Sequence, residues 1–351
     1  IMAYTTIDNG EEHFNTVLYT GDGSADNDIT GVGFAPDFVW AKNRGAADAH
    51  WVLDSTRGAT KGLYTNGTAA ENTQNHLISF DSDGFSVGNQ ANGLNTSSNN
   101  YVAWNWKANG GTTSSNSNGS ITSTVQANTT AGFSIVTYTG TGSNATVGHG
   151  LGAVPAWVLI KNRDSSSAGW YSNHQGLSSG GKVIFLNVTN AETTDSSVFN
   201  STDPTSTVFS VGTNTGTNGS SNDLIAYCFA EKQGYSKFGS FAGNNNSDGA
   251  FVYLGFKPAW IMIKSSATGG SNYDWVIFDN KRNTFNVSDN TLDANLSNAE
   301  VTSGRNEVDF LSNGFKCRES YADVNSNTTY IYIAFAEHPF VSSKGVPTTA
   351  R

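Results

Sequence analysis

Short apolar runs separated by polar turns are the dominant pattern along this chain. Three of them, FVWAK (38–42), WVLIK (157–161) and WIMIK (260–264), each follow a proline by no more than two residues. Runs of this length that are bounded by Pro and Gly predict central β-strands buried on both faces. A proline fits the beginning of such a strand, because the missing backbone N–H costs little there.

A second kind of run alternates with period two, as the side chains of a β-strand do. In VAWNWKA (102–108), Val102, Trp104 and Trp106 fall on one face, and small or polar residues fall on the other. The run IYIAFAE (331–337) alternates in the same way. We therefore expect these strands to turn one large apolar face toward a core.

The apolar runs belong to a longer block that occurs three times. The three copies are GVGFAPDFVWAKNR (31–44), GLGAVPAWVLIKNR (150–163) and LGFKPAWIMIKSS (254–266), each with Lys six residues after Pro. They recur about every hundred residues, which is domain-sized and far longer than the roughly 20–50 residues of a solenoid repeat.

The repeat predicts an all-β fold with three tandem antiparallel β-sandwich units of the jelly-roll or lectin-like kind. We assign residues 1–108 to the first unit, 133–234 to the second and 235–340 to the third. Residues 109–132 are rich in Gly, Ser, Thr and Asn, so we expect a flexible linker in which ITSTV is able to pair as a short strand. Residues 341–351 are expected to form a C-terminal arm.

Composition and charge exclude several classes of protein. Only 14% of the residues are charged and the formal net charge is −10, which argues against binding to nucleic acid or to an anionic membrane. No apolar run reaches the roughly 20 residues of a membrane span, and the N-terminus lacks signal-peptide features. We expect synthesis in a reducing cytoplasm, with Cys228 and Cys317 as free thiols, although one bridge between them stays open.

Motifs for catalysis, cofactors and metals are not found in the sequence. It has no P-loop and no metal-ligand spacing among its six histidines. The sequence does not exclude a catalytic carboxylate pair that folding brings together. Glu231 and Glu337, at the ends of closing strands, are nevertheless expected to be surface residues. Asp22, Asp26 and Asp28 predict a polar hairpin loop, with a Ca²⁺ site as the alternative. We therefore predict no catalytic, cofactor-binding or metal-binding residues.

Two sets of side chains are candidates for contact with a ligand. Trp51, Trp170 and Trp275 follow the repeated lysines in polar surroundings, so they are the best candidates for an exposed, ligand-facing aromatic platform. The cations of the Lys-Asn-Arg segments 42–44 and 161–163 suggest a binding site. The favoured alternative is that these cations keep the strand ends in water while the lysine stems pack on apolar surface.

A resemblance to a known family rests on these same segments. The stretch TTAGFSIVTYTGTGSNATVGHGLGAVPAWVLIKNR (129–163), the closing strands YVAWNWKA and AYCFAEK, and the turn DSDGFSVG resemble a repeat found in marine tailed bacteriophages. Proteins with this repeat are usually described as uncharacterised or tail-fibre-like, with lectin-like β-sandwich character. The resemblance covers essentially the whole chain and implies a virion component, but it carries over no catalytic residues. The third unit departs from it by having IMIKSS where the others have IKNR.

These observations predict a non-enzymatic structural protein on the surface of a tailed-phage virion. It would be made in the host cytoplasm and serve as a tail fibre or knob, or as a capsid decoration protein, contributing to host adhesion. Its expected partners are other virion proteins and further copies of itself, with a trimer favoured, and a host surface glycan is a further candidate. No nucleic acid, membrane insertion or cofactor is expected. The alternative is a carbohydrate-binding or glycan-cleaving protein for host recognition.

Overall fold

A computed structural model describes residues 4–302 and 304–349. Residues 1–3 of the first expected unit, 303 of the third and 350–351 of the expected arm lie outside the described residues. The protein is all-β, with 41% strand and 3% helix in several antiparallel sheets. Among the described residues, no helix combines the length and apolar character needed to cross a membrane.

The first large sheet and its small companion are formed after a 3₁₀ turn at Gly10–Glu12. Their strands are β1 (Phe14–Thr20), β2 (Asn27–Thr30), β3 (Phe38–Asn43), β4 (Trp51–Asp54), β5 (Lys61–Tyr64), β6 (Asn72–Thr73), β7 (Leu77–Asp81), β8 (Gly84–Val87) and β9 (Asn100–Trp106). The large sheet has the order β1-β9-β3-β4-β5-β6, and the small sheet has the order β2-β8-β7.

The second large sheet includes strands from the segment in which a linker was expected. Its region contains β10 (Ser114–Asn116), β11 (Ser123–Asn128), β12 (Phe133–Thr139), β13 (Ala145–Gly148), β14 (Trp157–Asn162), β15 (Trp170–His174), β16 (Lys182–Phe185), β17 (Thr193–Thr194), α1 (Ser196–Phe199), β18 (Val208–Val211), α2 (Thr215–Asn218) and β19 (Asp223–Phe229). The large sheet has the order β10-β11-β12-β19-β14-β15-β16-β17, and β13 pairs with β18. Strands β10 and β11 therefore place part of residues 109–132 at an edge of this sheet.

The third region is built in the same way. Its strands are β20 (Ser236–Ala242), β21 (Phe251–Tyr253), β22 (Phe256–Ser265), β23 (Val276–Asp279), β24 (Leu292–Asp293), β25 (Val308–Leu311), β26 (Gly314–Cys317) and β27 (Thr329–Pro339). The large sheet has the order β20-β27-β22-β23-β24, and the small one β21-β26-β25. Here the central strand begins before its proline, and the pairing register shifts on both sides of Pro258. A bulge tolerates the missing N–H in this position.

The order of strands in the large sheets explains the repeat in the sequence. In each sheet the closing strand (β9, β19 or β27) lies between the first strand (β1, β12 or β20) and the central strand (β3, β14 or β22). The next strand along the chain, β4, β15 or β23, pairs with the other side of the central strand. The central strands are almost wholly buried, as the apolar runs predict.

The central and closing strands of each large sheet are buried on both faces. On β9, Val102, Trp104 and Trp106 lie in a core shared by all three large sheets, which confirms the apolar face predicted from the alternation. The other face of β9 is buried as well, because Tyr101 and Ala103 pack against the small sheet β2-β8-β7. The second and third large sheets pack against their own small companions in two further cores.

The shared core is aromatic at its centre. Trp106, Phe229 and Phe335 occupy matching positions on the three closing strands and form a triangle, with ring centroids 5.5–6.3 Å apart. The cavity beside them measures only about 10 Å³, which is room for no more than one water. The three large sheets are therefore joined by one close-packed interior.

Candidate functional site

The three tryptophans expected to form an exposed platform lie in the interior. Trp170 and Trp275 are fully buried in the shared core, and Trp51 is 7% exposed in the core of the first sheet pair. The indole of Trp170 donates to the carbonyl of Tyr64 and that of Trp275 to the carbonyl of Phe185, both at 2.9 Å. Each of these two bonds joins one large sheet to the preceding one.

The acidic residues singled out in the sequence do not converge on a common site. Asp22 accepts hydrogen bonds from its own loop and from Asn95, whereas Asp28 accepts from Ser86. Glu231 is exposed, and Glu337 pairs with a lysine of its own sheet. Within the described residues, no group of three or more His, Cys, Asp or Glu side chains is arranged to hold a metal ion. Both cysteines are buried, free and in different cores.

The repeated lysines are buried at the ends of the central strands, instead of reaching into water. Lys161 donates from Nζ to carbonyl oxygens of its own segment and, at 3.2 Å, to the carbonyl of Thr68 in the loop between β5 and β6 of the first large sheet. Lys264 reaches Thr189 of the second large sheet in the same way, whereas Lys42 binds carbonyls of its own loop. Burial lowers the pKa of all three ammonium groups to about 8.

The residue that follows each central strand joins neighbouring sheets in a closed ring. In each case a glutamate near the outer edge of one large sheet donates its backbone N–H to the next large sheet. The acceptor is the backbone carbonyl of the residue that follows the central strand of that next sheet. The three bonds are Glu71 to Arg163, Glu192 to Ser266 and Glu300 to Arg44, with N···O distances of 2.7, 2.7 and 2.8 Å. We call the regions around them the first, second and third junctions.

The first junction contains a buried ion network between the first and second large sheets. Arg57 lies between Asp54 and Glu71, and Arg163 of the second sheet binds the same Glu71 through two nitrogens at 2.9 Å. The hydroxyl of Tyr227 donates to Asp54 at 2.7 Å, and burial raises the pKa of this phenol well above its usual value. Four charges are thus paired where the two sheets meet.

The third junction repeats this arrangement between the third and first large sheets. Arg282 binds Asp279 and Glu300, and Arg44 of the first sheet holds Glu300 at 2.7 and 3.0 Å. Trp104 takes the place of Tyr227, because its indole donates to Asp279 at 3.0 Å and the Arg282 guanidinium lies 5.6 Å from its ring centroid. Paired in this way, two buried arginines avoid the cost of an uncompensated charge.

The second junction is different, because neutral residues replace the ion pair. His174 and Leu177 stand where the other two sheets have Asp and Arg. Nδ1 of His174 accepts from the Gly176 N–H, so Nε2 carries the proton and donates to the carbonyl of Tyr332 at 3.1 Å. Burial lowers the pKa of His174 to about 3, which keeps the ring neutral at physiological pH.

The third large sheet carries one further cluster of charges. Arg305 lies within 3.0 Å of carboxylate oxygens of Asp274, Asp293 and Asp323. One carboxylate oxygen of Asp293 is buried and has no hydrogen-bond partner among residues 4–302 and 304–349. Burial raises the pKa of Asp293 to about 7, with Arg305 opposing the shift and the other two carboxylates adding to it.

Sequence reasoning missed the glutamates of the junctions. Glu71, Glu192 and Glu300 follow Asp54, His174 and Asp279 at unequal intervals, so no fixed spacing marks them. The available signal was the recurrence of the motifs Asp54–Arg57 and Asp279–Arg282, since a charged pair beside an apolar strand is suited to a buried ion pair.

Comparison with known families assigns the chain to one of them. A family described as a domain of unknown function (DUF7483) matches residues 9–339, so the chain belongs to this family. No curated protein and no solved structure matches the chain. The match spans all three large sheets.

We predict that replacing Arg57 with Leu destabilises the protein by about 3–5 kcal/mol, because Asp54 then remains buried without its partner. The double variant Asp54→His/Arg57→Leu installs the neutral pair of the second junction and should recover most of this loss. Urea unfolding measures both, with Arg318→Leu at an exposed ion pair as a control that should change little. Equal unfolding midpoints for the single and double variants would contradict the prediction.

A second prediction concerns pH. Because the folded pKa of Asp293 is raised, folding retains a proton that the unfolded chain releases above pH about 4. The contribution of this group to stability therefore falls as the pH rises from about 4 to 7, by at most about 1.4 kcal/mol per pH unit. Between pH 5 and 8 the wild type should lose more stability than Asp293→Asn in urea unfolding. Parallel losses in the two proteins would refute it.

Proposed function

We propose that this chain is a non-enzymatic structural protein on the surface of a tailed-phage virion, either a tail fibre or knob or a capsid decoration protein. It would be built of three tandem jelly-roll units and contribute to adhesion to the host. The observation that carries the proposal is the use of charge. The carboxylates brought together by folding, around Arg57, Arg282 and Arg305, are paired with arginine in the interior.

This use of charge favours a structural role over catalysis. A glycosidase needs two carboxylates across an open cleft, one of them able to protonate a leaving group. Asp54 and Asp279 have fully buried side chains and are held by arginines. Only 14% of the residues are charged, and many of the exposed ones are Asn, Ser and Thr, which form contacts without the cost of burying ions. The resemblance to repeats of marine phages supports the same proposal.

The proposal predicts that the chain is present in purified particles of the virus that encodes it, in a fixed number of copies. Mass spectrometry of the particles and cryo-EM of the intact virion test this. Detection of the chain only in lysate of infected cells would contradict it. Release of reducing sugar from host envelope polysaccharide, abolished by one Asp or Glu substitution, would favour the glycan-cleaving alternative.

Association between copies has a candidate surface on the third small sheet. Phe251 and Tyr253 on the edge strand β21 are each 49% exposed. The matching positions on the other small sheets are polar or small, namely Asp28 and Thr30 on β2, and Thr146 and Gly148 on β13. An edge strand offers unpaired backbone groups to a second chain, and exposed aromatics add apolar area to such a contact.

We predict that the purified chain forms a homo-oligomer, most simply a trimer, or docks onto capsid or tail subunits. An obligate interface should bury upwards of about 2,000 Å² in total. Multi-angle light scattering should give a multiple of the monomer mass, and Phe251→Ser/Tyr253→Ser should reduce it to one copy. Leu18→Ser, at an exposed apolar residue on the first large sheet, is the control. A monomer that contacts no other virion protein would overturn the prediction.

A further inference from the structure

A cavity of about 310 Å³ opens beside the end of β15 in the second large sheet. Its walls are formed by residues 154–155 before β14, by residues from 173 to 180 at and after the end of β15, and by residues 203–204 after α1. This volume lies at the lower end of the roughly 300–1,000 Å³ typical of small-molecule sites.

Three polar side chains face this cavity without a hydrogen-bond partner among the described residues. Asn173 is 6% exposed, so its amide is buried apart from the opening. Ser179 and Asp203 are exposed at the rim. The described part of the fold uses none of these three side chains for a hydrogen bond, so each is available to a group that enters the cavity.

The other two sheet pairs show that the fold does not require a polar residue there. The register of the strands places Leu53 of β4 and Phe278 of β23 at the position of Asn173. Both are fully buried in the apolar cores between the large and small sheets. The second sheet pair therefore lacks an apolar side chain at one position of its core, and the cavity lies beside that position.

The chemistry of the lining selects the kind of ligand. A carboxylate only accepts hydrogen bonds, whereas an amide and a hydroxyl both donate and accept. Asp203 is therefore able to accept from a donor on a ligand, and its negative charge disfavours anions. Pro155, Leu177 and Pro204 supply apolar wall. Hydroxyl groups around a ring with an apolar C–H face satisfy all of these requirements, and they describe a neutral sugar.

We propose that this cavity binds a neutral monosaccharide, or one sugar residue of a glycan, with Asn173 and Asp203 hydrogen-bonding its hydroxyl groups. The inference goes beyond the structural role proposed above and does not depend on it. Presence in a virion and binding of a sugar by the purified chain are separate measurements, so either one can fail alone.

Saturation-transfer NMR of the full chain with glucose, galactose, mannose and N-acetylglucosamine tests the proposal. At least one sugar should bind, and Asn173→Leu and Asp203→Asn should each weaken its binding roughly tenfold. Asn173→Leu supplies the residue that the first sheet pair has, so its melting temperature should not fall. Asp26→Asn removes an exposed carboxylate from the first sheet pair and should bind as the wild type does.

Three outcomes with the neutral sugars would overturn the proposal, and one with a charged sugar would do the same. They are the absence of binding by any of the four sugars, wild-type affinity in a folded Asn173→Leu variant, and equal weakening in Asp26→Asn. Glucosamine in its protonated form is added as a fifth probe. Binding of this cation in preference to all the neutral sugars would show that Asp203 selects charge, and the assignment to a neutral sugar would be wrong.

Discussion

The contact among Trp106, Phe229 and Phe335 is the interaction on which the rest of the structure depends. It requires each closing strand to turn one face to the common centre while its other face packs against a small sheet. A strand with two buried faces is ordinary in a parallel sheet covered by helices. Here the sheets are antiparallel. One face of each closing strand packs against a small sheet, and the neighbouring large sheets cover the other face.

Burial on both faces decides what happens to charge at the strand ends. The central strands end in the interior, so Lys161 and Lys264 leave a strand without reaching bulk water. Their ammonium groups donate to backbone carbonyls of their own segment and of the neighbouring sheet's loops, and the arginines after two of the strands are paired with glutamates. Each of these hydrogen bonds and ion pairs is directional, so it fixes the position of one sheet on the next. Apolar contacts alone are not directional and allow one sheet to slide over another.

The sequence predicts the parts of this arrangement that depend on local periodicity. The central strands, the inward face of β9 and the recurrence of the block every hundred residues or so all follow from residue spacing. The position of Trp170 and the partner of Arg163 do not, because both depend on which sheet closes against which. The polar residues that flank Trp170 in the sequence do not reveal that its side chain is buried, because the residue that its indole contacts, Tyr64, is far away along the chain. Burial of this kind is a property of the assembled ring.

The second junction shows what the ring tolerates. The first and third junctions each contain an ion network of several charges, whereas the second keeps its backbone bond from Glu192 to Ser266 and pairs Glu192 with Lys182 of its own sheet, 3.9 Å away. His174 and Leu177 replace the charged pair, and Asn173, next to them, replaces an apolar residue of the sandwich core. The residues that depart from the repeat thus lie next to one another, at the end of β15 and in the loop after it. The cavity lies beside Asn173, where the second sheet pair lacks the apolar residue that the other two have.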